Sequence, residues 1–203
     1  ELRYVGGQLL HGAIPIRRRS DHGGATANND DAFAACQDVL AAGGVMAIFP
    51  EGKTHGHLRI EPLKTGTARI ALRAPAEVGV RVVPVGITYL VRHAFRSDVH
   101  VAFGPPIHVA KELGDLARAD EPAAVRALTD RIDDALRELA VHIAETDDER
   151  LIAQVTSIVV GIRADEGLDE DGQSPAERTA LVRRVVDAYR WMQDVDPEAT
   201  RVL

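Results

Sequence analysis

Gly43-Gly44-Val45-Met46-Ala47-Ile48-Phe49-Pro50-Glu51-Gly52-Lys53-Thr54-His55-Gly56-His57 is the stretch that decides the class of this fold. The apolar run from Val45 to Phe49 lies between a glycine pair and a proline, which suits a buried strand better than a helical turn. It opens at once into a loop. Pro50 and Gly52 fix the path there, and Gly lets backbone approach a ligand closely. Lys53, Thr54 and His55 bring donors beside one carboxylate, Glu51. A carboxylate leaving an apolar strand is partly desolvated and needs a partner.

On the N-terminal side, Asp30 or Asp31 can cap a helix through Phe33, Cys36, Val39 and Leu40, with Gly43-Gly44 ending it. Cys36 falls on the apolar stripe of that helix and reads as a buried inert thiol rather than a nucleophile. On the C-terminal side, Thr65-Gly66 opens a helical segment (Ala68, Ile70, Ala71, Leu72) closed by Pro75. Val80 to Leu90 reads as a second buried strand interrupted by Pro84. Val99 to Phe103 is a third, ending at Gly104-Pro105-Pro106. Alternating helix and apolar strand predicts α/β layering, with ligands at loops beyond strand ends.

After Val109 the pattern is helical alone. Pro122 suits a first turn, and Val125, Leu128, Ile132, Leu136, Leu139 and Ile143 recur as one apolar stripe. Thr146 to Glu149 has capping-box form and predicts a helix through Ile152, Val155, Ile158 and Val159. Residues 165–174 read as an acidic loop. Ser174-Pro175-Ala176-Glu177 then starts a helix whose buried face is Leu181, Val182, Val185, Val186, Tyr189 and Met192. The sequence therefore divides at residue 111 into a core, 1–111, and a helical extension, 112–203.

Charge follows the same division. Residues 1–111 carry 13 basic and 9 acidic groups, residues 112–203 carry 11 and 22, so an anionic ligand is sought in the first part. With 4% aromatic residues the chain is a poor candidate for stacking on nucleic acid. One cysteine forms neither an internal disulfide nor a multi-cysteine zinc site, which points to a reducing compartment. No run of about 18 apolar residues is present. The start at Glu1 resembles neither an initiator methionine nor a signal peptide, so the chain is expected to be a piece of a longer protein.

A second loop complements the first. Gly12-Ala13-Ile14-Pro15-Ile16-Arg17-Arg18-Arg19 places three guanidinium groups after an apolar segment, where at least one can turn inward from a sheet rim. Arginine presents a fork of donors matched to phosphate oxygens, although a three-arginine run by itself also suits a solvated surface. An arginine from this loop is the expected partner of Glu51.

Four blocks in order carry a family resemblance: Gly12 to Arg18, Phe49-Pro50-Glu51-Gly52, Leu63-Lys64-Thr65-Gly66 running to Leu72, and Val83-Pro84-Val85-Gly86-Ile87. They resemble the second, third and fourth blocks of the glycerol-3-phosphate and lysophosphatidic acid acyltransferase family, and Gly104-Pro105-Pro106-Ile107 resembles its strand end. The similarity covers Gly12 to Val109. It looks closest to the branch with an extended helical tail that includes fungal and bacterial glycerol-3-phosphate acyltransferases.

The resemblance implies a mixed sheet flanked by helices. It implies transfer of a fatty acyl group from acyl-CoA or acyl carrier protein to a hydroxyl of glycerol 3-phosphate or lysophosphatidic acid, with no further cofactor and no metal. It assigns acceptor binding to Arg17 or Arg18 and to Glu51 and Gly52, with Lys53, Thr54 and Lys64 beside them; the block around Pro84 is linked to the acyl side. Working at lipid substrates implies a membrane surface, on its cytoplasmic face. The commonest third block continues Thr-Arg-Ser, whereas Lys53-Thr54-His55 stands here.

The family's general base and its orienting carboxylate form a His-x4-Asp block upstream of the arginines, and none precedes Gly12. His93 to Asp98 and His142 to Asp147 have that spacing, but 8 His and 18 Asp in 203 residues give roughly 0.7 such pairs by chance. The second pair would sit five apart on a predicted helix, off a shared face. The catalytic pair is therefore expected outside this chain, and the 203 residues alone are expected to be inactive. A non-catalytic phosphate- or lipid-binding protein on the same fold is the alternative. Glu51, His55 and His57 contain ordinary zinc-ligand types but no recognised ligand spacing.

Overall fold

A computed structural model describes residues 12–16, 29–56, 58–89, 95–96, 99–143, 150–157 and 174–196. In chain order the elements are α1 (Asp30–Ala41), α2 (Gly66–Arg73), a 3-10 turn (Ala76–Val78), β1 (Arg81–Val82), β2 (Val85–Tyr89), β3 (Val99–Phe103), β4 (Ile107–His108), α3 (Val109–Ala119) and α4 (Glu121–Leu139). A helical stretch over 150–157, here α5, and α6 (Pro175–Val195) follow. The described residues fall into two compact units. One lies within Glu1–Pro50, Lys64–Val82 and Ile107–Thr129, the other within Glu51–Leu63, Val83–Pro106 and Asp130–Leu203.

The first unit is built on short helices. The chain turns out of α1 at Gly43, whose φ of +74° is a left-handed conformation that costs glycine nothing. Cys36, 2% exposed, is buried on this helix, and burial pushes its thiol pKa up, as an inert core cysteine requires. α1 packs on α2, and Gln37 Nε2 donates to Ile70 O at 2.9 Å. Ala68, Ile70 and Ala71 form the buried face of α2, which also packs on α3, where Val109 and Leu113 are buried. Asp120 Oδ1 accepts the Ala123 N–H at 2.9 Å and caps α4, with Pro122 in the first turn. β1 and β4 pair antiparallel, Arg81 opposite His108 and Val82 opposite Ile107.

The second unit is a β-ladder with helices. β2 and β3 pair antiparallel from Val85 opposite Phe103 to Tyr89 opposite Val99. Side chains alternate across the ladder. Gly86 and Thr88 are buried while Ile87, Tyr89, Val99, Val101 and Phe103 are exposed. Gly86 lies against Leu139: a Cβ there would come within 2.7 Å of the Leu139 carbonyl carbon, so the ladder can approach the end of α4 only because this residue has no side chain. Val141, Ile143, Ile152 and Val186 form a buried cluster, with Leu58, Val182, Val185 and Tyr189 packed on it. α6 begins with a complete capping box, in which Ser174 Oγ accepts the Glu177 N–H at 3.3 Å and Glu177 Oε2 accepts the Ser174 N–H at 2.8 Å.

Three expectations need correction. Val45 to Phe49 is not a strand: no described strand pairs with it, and without a ladder partner the run lies open, Val45 96% and Phe49 76% exposed. The described strands form two separate two-stranded antiparallel sheets in place of one mixed sheet. The stripe predicted to continue to Ile143 leaves the helix at Leu139. Ile143 is nonetheless buried, because the non-helical segment after α4 feeds the second unit's core. The expected capping box at Thr146 to Glu149, together with Ile158 and Val159, lies outside the described residues.

Candidate functional site

The loop after Phe49 is organised around two carboxylates. Pro50 begins the turn, and Gly52 completes it at φ +68°, which swings the chain away immediately after Glu51. Glu51 Oε2 then meets two partners within the loop. His55 Nε2 lies 2.8 Å away, and the backbone N–H of Glu61 donates to the same oxygen at 2.8 Å. A ten-residue excursion is thus closed by a side chain reaching from its first residue to its last amide. The predicted partner of Glu51 was an arginine of the first loop. Among the described residues it is this local pair, and Arg17, Arg18 and Arg19 lie outside them.

Glu61 forms the second centre. It is 8% exposed and receives Lys53 Nζ at 2.9 Å on one oxygen and Arg59 Nε at 2.8 Å on the other. A nearly buried carboxylate is tolerable when both oxygens are bonded by cations. The bonds from Lys53 and Arg59 hold its pKa down at about 2, below the usual carboxylate range. Lys53 and Arg59 keep substantial exposure, at 56% and 42% of their side chains, so each leans on Glu61 while presenting charge outward.

Thr54 is exposed between these groups. Lys64 is exposed in the other unit, where its N–H donates to Pro50 O at 2.8 Å just before α2 begins. Of the expected site residues, Glu51, Gly52, Lys53 and Thr54 thus share one loop of the second unit. His57, His93 and Asp98 lie outside the described residues, as does Asp147. No cluster of three or more potential metal ligands occurs among the described residues.

The loop's other end is pinned by residues that sequence reasoning missed. The Ile60 N–H donates to His142 Nδ1 at 2.9 Å, and the Ile143 N–H donates to Leu58 O at 3.0 Å. Arg137 Nη1 faces the His142 ring at Nε2, while its Nε bonds Asp133 Oδ2 at 2.6 Å. Arg190 Nη2 donates to His142 O at 2.6 Å. His142 is therefore not a helical residue spaced from Asp147, as expected, but sits beyond the end of α4. The alternation Arg59-Ile60-Glu61, with charges on both sides of an apolar residue, was the available signal for the Glu61 centre.

The Acyltransferase family model matches residues 8–88, which contain both loops. Over that segment the chain is similar to the acyltransferase family. It is 38% identical over 113 residues to glycerol-3-phosphate O-acyltransferase 1 of Saccharomyces cerevisiae, covering 52% of this chain and 15% of that one. It is 34% identical over 112 residues to glycerol-3-phosphate O-acyltransferase 2 of the same yeast, covering 54% and 15%. An uncharacterised acyltransferase of Schizosaccharomyces pombe matches at 34% over 117 residues, covering 56% and 17%. The aligned part thus spans about one-sixth of the length of these relatives. No solved structure matches the chain.

Proposed function

We propose that the Glu51 loop forms the acceptor side of a glycerophosphate O-acyltransferase. The observation that carries this reading is the loop itself: a glycine-turned carboxylate held by His55 and the Glu61 amide, with Lys53 and Arg59 set over Glu61, inside the family-matched segment. Two of the relatives are named as glycerol-3-phosphate O-acyltransferases, which supports glycerol 3-phosphate as the acceptor, with lysophosphatidic acid as a second member of the class.

In this reading Arg17 and Arg18 clamp the phosphate as guanidinium forks, and Lys53, Thr54 and Lys64 supply further donors. Glu51 orients the acceptor's hydroxyls, and its own orientation is fixed by His55 and the Glu61 N–H. Gly52 lets the acceptor approach the backbone. The acceptor oxygen attacks the thioester carbonyl carbon of acyl-CoA or acyl carrier protein. The C–O bond forms, the C–S bond breaks, and the thiol leaves with the proton given up by the hydroxyl. None of these residues is assigned the proton abstraction, and no cofactor beyond the thioester donor enters the scheme. The chemistry takes place at the cytoplasmic face of a membrane, where lipid product is delivered.

The test is transfer of labelled acyl groups to glycerol 3-phosphate by acyltransferase-competent protein carrying Arg17→Ala, Arg18→Ala and Glu51→Ala together. Loss of at least about a hundredfold in kcat/KM, roughly the loss of two charge-assisted contacts, is expected. Undiminished transfer would reject the assignment.

A further inference from the structure

The segment after α4 lies beyond the family-matched residues, yet it holds the far end of the candidate loop. Two consecutive amides tie that end to two side chains: the Ile60 N–H goes to His142 Nδ1, and the Glu61 N–H goes to Glu51 Oε2. Displacing residue 60 therefore displaces the donor on which Glu51 rests. The neighbouring Leu58 O to Ile143 N–H bond makes the attachment two-point, and Arg190 holds the His142 carbonyl in place.

We propose that His142 is a positioning residue for the Glu51 loop, accepting the Ile60 N–H at Nδ1 and thereby setting where the Glu61 amide meets the Glu51 carboxylate. The functional part of this inference rests on the reading of the loop as an acceptor site; the geometry does not. His142 contacts no substrate and acts through Ile60 and Glu61.

The ring's chemistry makes the attachment conditional on pH. Ile60 N–H faces Nδ1 and Arg137 Nη1 faces Nε2, so two donors converge on one imidazole. A neutral ring offers one lone-pair nitrogen, and an imidazolium offers none. The charged groups acting on the ring are Arg137 and Asp133 of α4 and Arg190 of α6. Burial, then the charges of Arg137 and Arg190, hold its pKa below the ordinary histidine value, against the weaker opposing effect of Asp133. The ring is accordingly neutral at neutral pH and able to accept. As pH falls below the ordinary histidine range and the ring takes a second proton, the Ile60 bond is lost and the loop end is released.

Hydrogen exchange of backbone amides in the 203-residue chain tests this, with His142→Asn and His142→Ala as variants. Asn presents an acceptor oxygen close to the position of Nδ1 but does not titrate. In the parent chain, the protection factor of the Ile60 amide should fall about tenfold on acidification from about pH 7.5, with the same midpoint as the His142 ring's own Hε1 shift. His142→Asn should keep the protection across that range, and His142→Ala should lack it throughout. Ile60 protection that ignores the ring's midpoint, or that survives in His142→Ala, would overturn the proposal. Glycerol 3-phosphate added at each pH gives a separate readout. If its shifts of the Glu51 to Glu61 amides weaken with the ring's titration in the parent chain but not in His142→Asn, positioning extends to the acceptor. If glycerol 3-phosphate shifts none of them while exchange follows the ring, the positioning role stands and the acceptor reading fails.

Discussion

Glu61 shows how one carboxylate organises the candidate loop. Its pKa of about 2, set by the hydrogen bonds from Lys53 and then Arg59, means the folded state holds this group ionised more strongly than the unfolded chain, where it titrates near 4.5. A depressed carboxyl pKa contributes stability that is fully present above the unfolded value and is lost as pH falls from about 4.5 toward 2. Denaturant midpoints measured across that window should fall more steeply for the parent chain than for Glu61→Gln, which has no titrating group at the position. Equal slopes would show that the Lys53 and Arg59 bonds do not survive in solution. Glu51 and Gly52 were legible in the sequence because a proline, a carboxylate and a glycine after an apolar run mark a turn with a purpose. Their partners were not. The hydrogen bonds to Glu51 come from four and ten residues further along, and His142 reaches Ile60 across 82 positions, separations at which residue spacing carries no information about contact.

Elements whose signals are local are present as read, except that the strand read as buried between Val80 and Leu90 leaves Ile87 and Tyr89 exposed. Pro84 separates β1 from β2 because it has no N–H to give to a ladder, β3 occupies Val99–Phe103 as expected, and Ser174-Pro175-Ala176-Glu177 opens α6 with both bonds of its box. The apolar run from Val45 to Phe49 is the instructive failure. Period and composition identify a segment fit to be a strand, but a strand exists only when another backbone satisfies its N–H and C=O groups, and none of the described strands does so. Two substitutions test the elements that did form. Ser174→Ala removes one half of the capping box and should cost about 1 kcal/mol in denaturant unfolding, with a matching loss at the start of α6 in amide exchange. Gly86→Ala places a methyl against Leu139 and should cost about 1–3 kcal/mol, because the Leu139 carbonyl carbon, carbonyl oxygen and Cβ that it meets cannot rotate away. A neutral Gly86→Ala would mean that β2 does not press on the end of α4.

At the scale of the whole molecule, the sequence carries +4 in residues 1–111 and −11 in residues 112–203. No described helix is long and apolar enough to cross a membrane. If the proposed membrane surface is reached electrostatically through the basic half, the chain should sediment with vesicles rich in anionic lipid and be released by salt on the order of 0.5 M, with little binding to neutral vesicles. Binding that is indifferent to both lipid charge and salt would assign the contact to apolar residues. The deeper claim concerns the acceptor, and a titration of the isotopically labelled chain with glycerol 3-phosphate tests it most directly. Amide shifts are expected at Gly52, Lys53 and Thr54 and at Arg17 and Arg18, absent with glycerol and abolished by Arg17→Ala with Arg18→Ala. Saturating glycerol 3-phosphate that leaves the Gly52 to Thr54 amides unmoved, or that moves them equally without the two arginines, would contradict it.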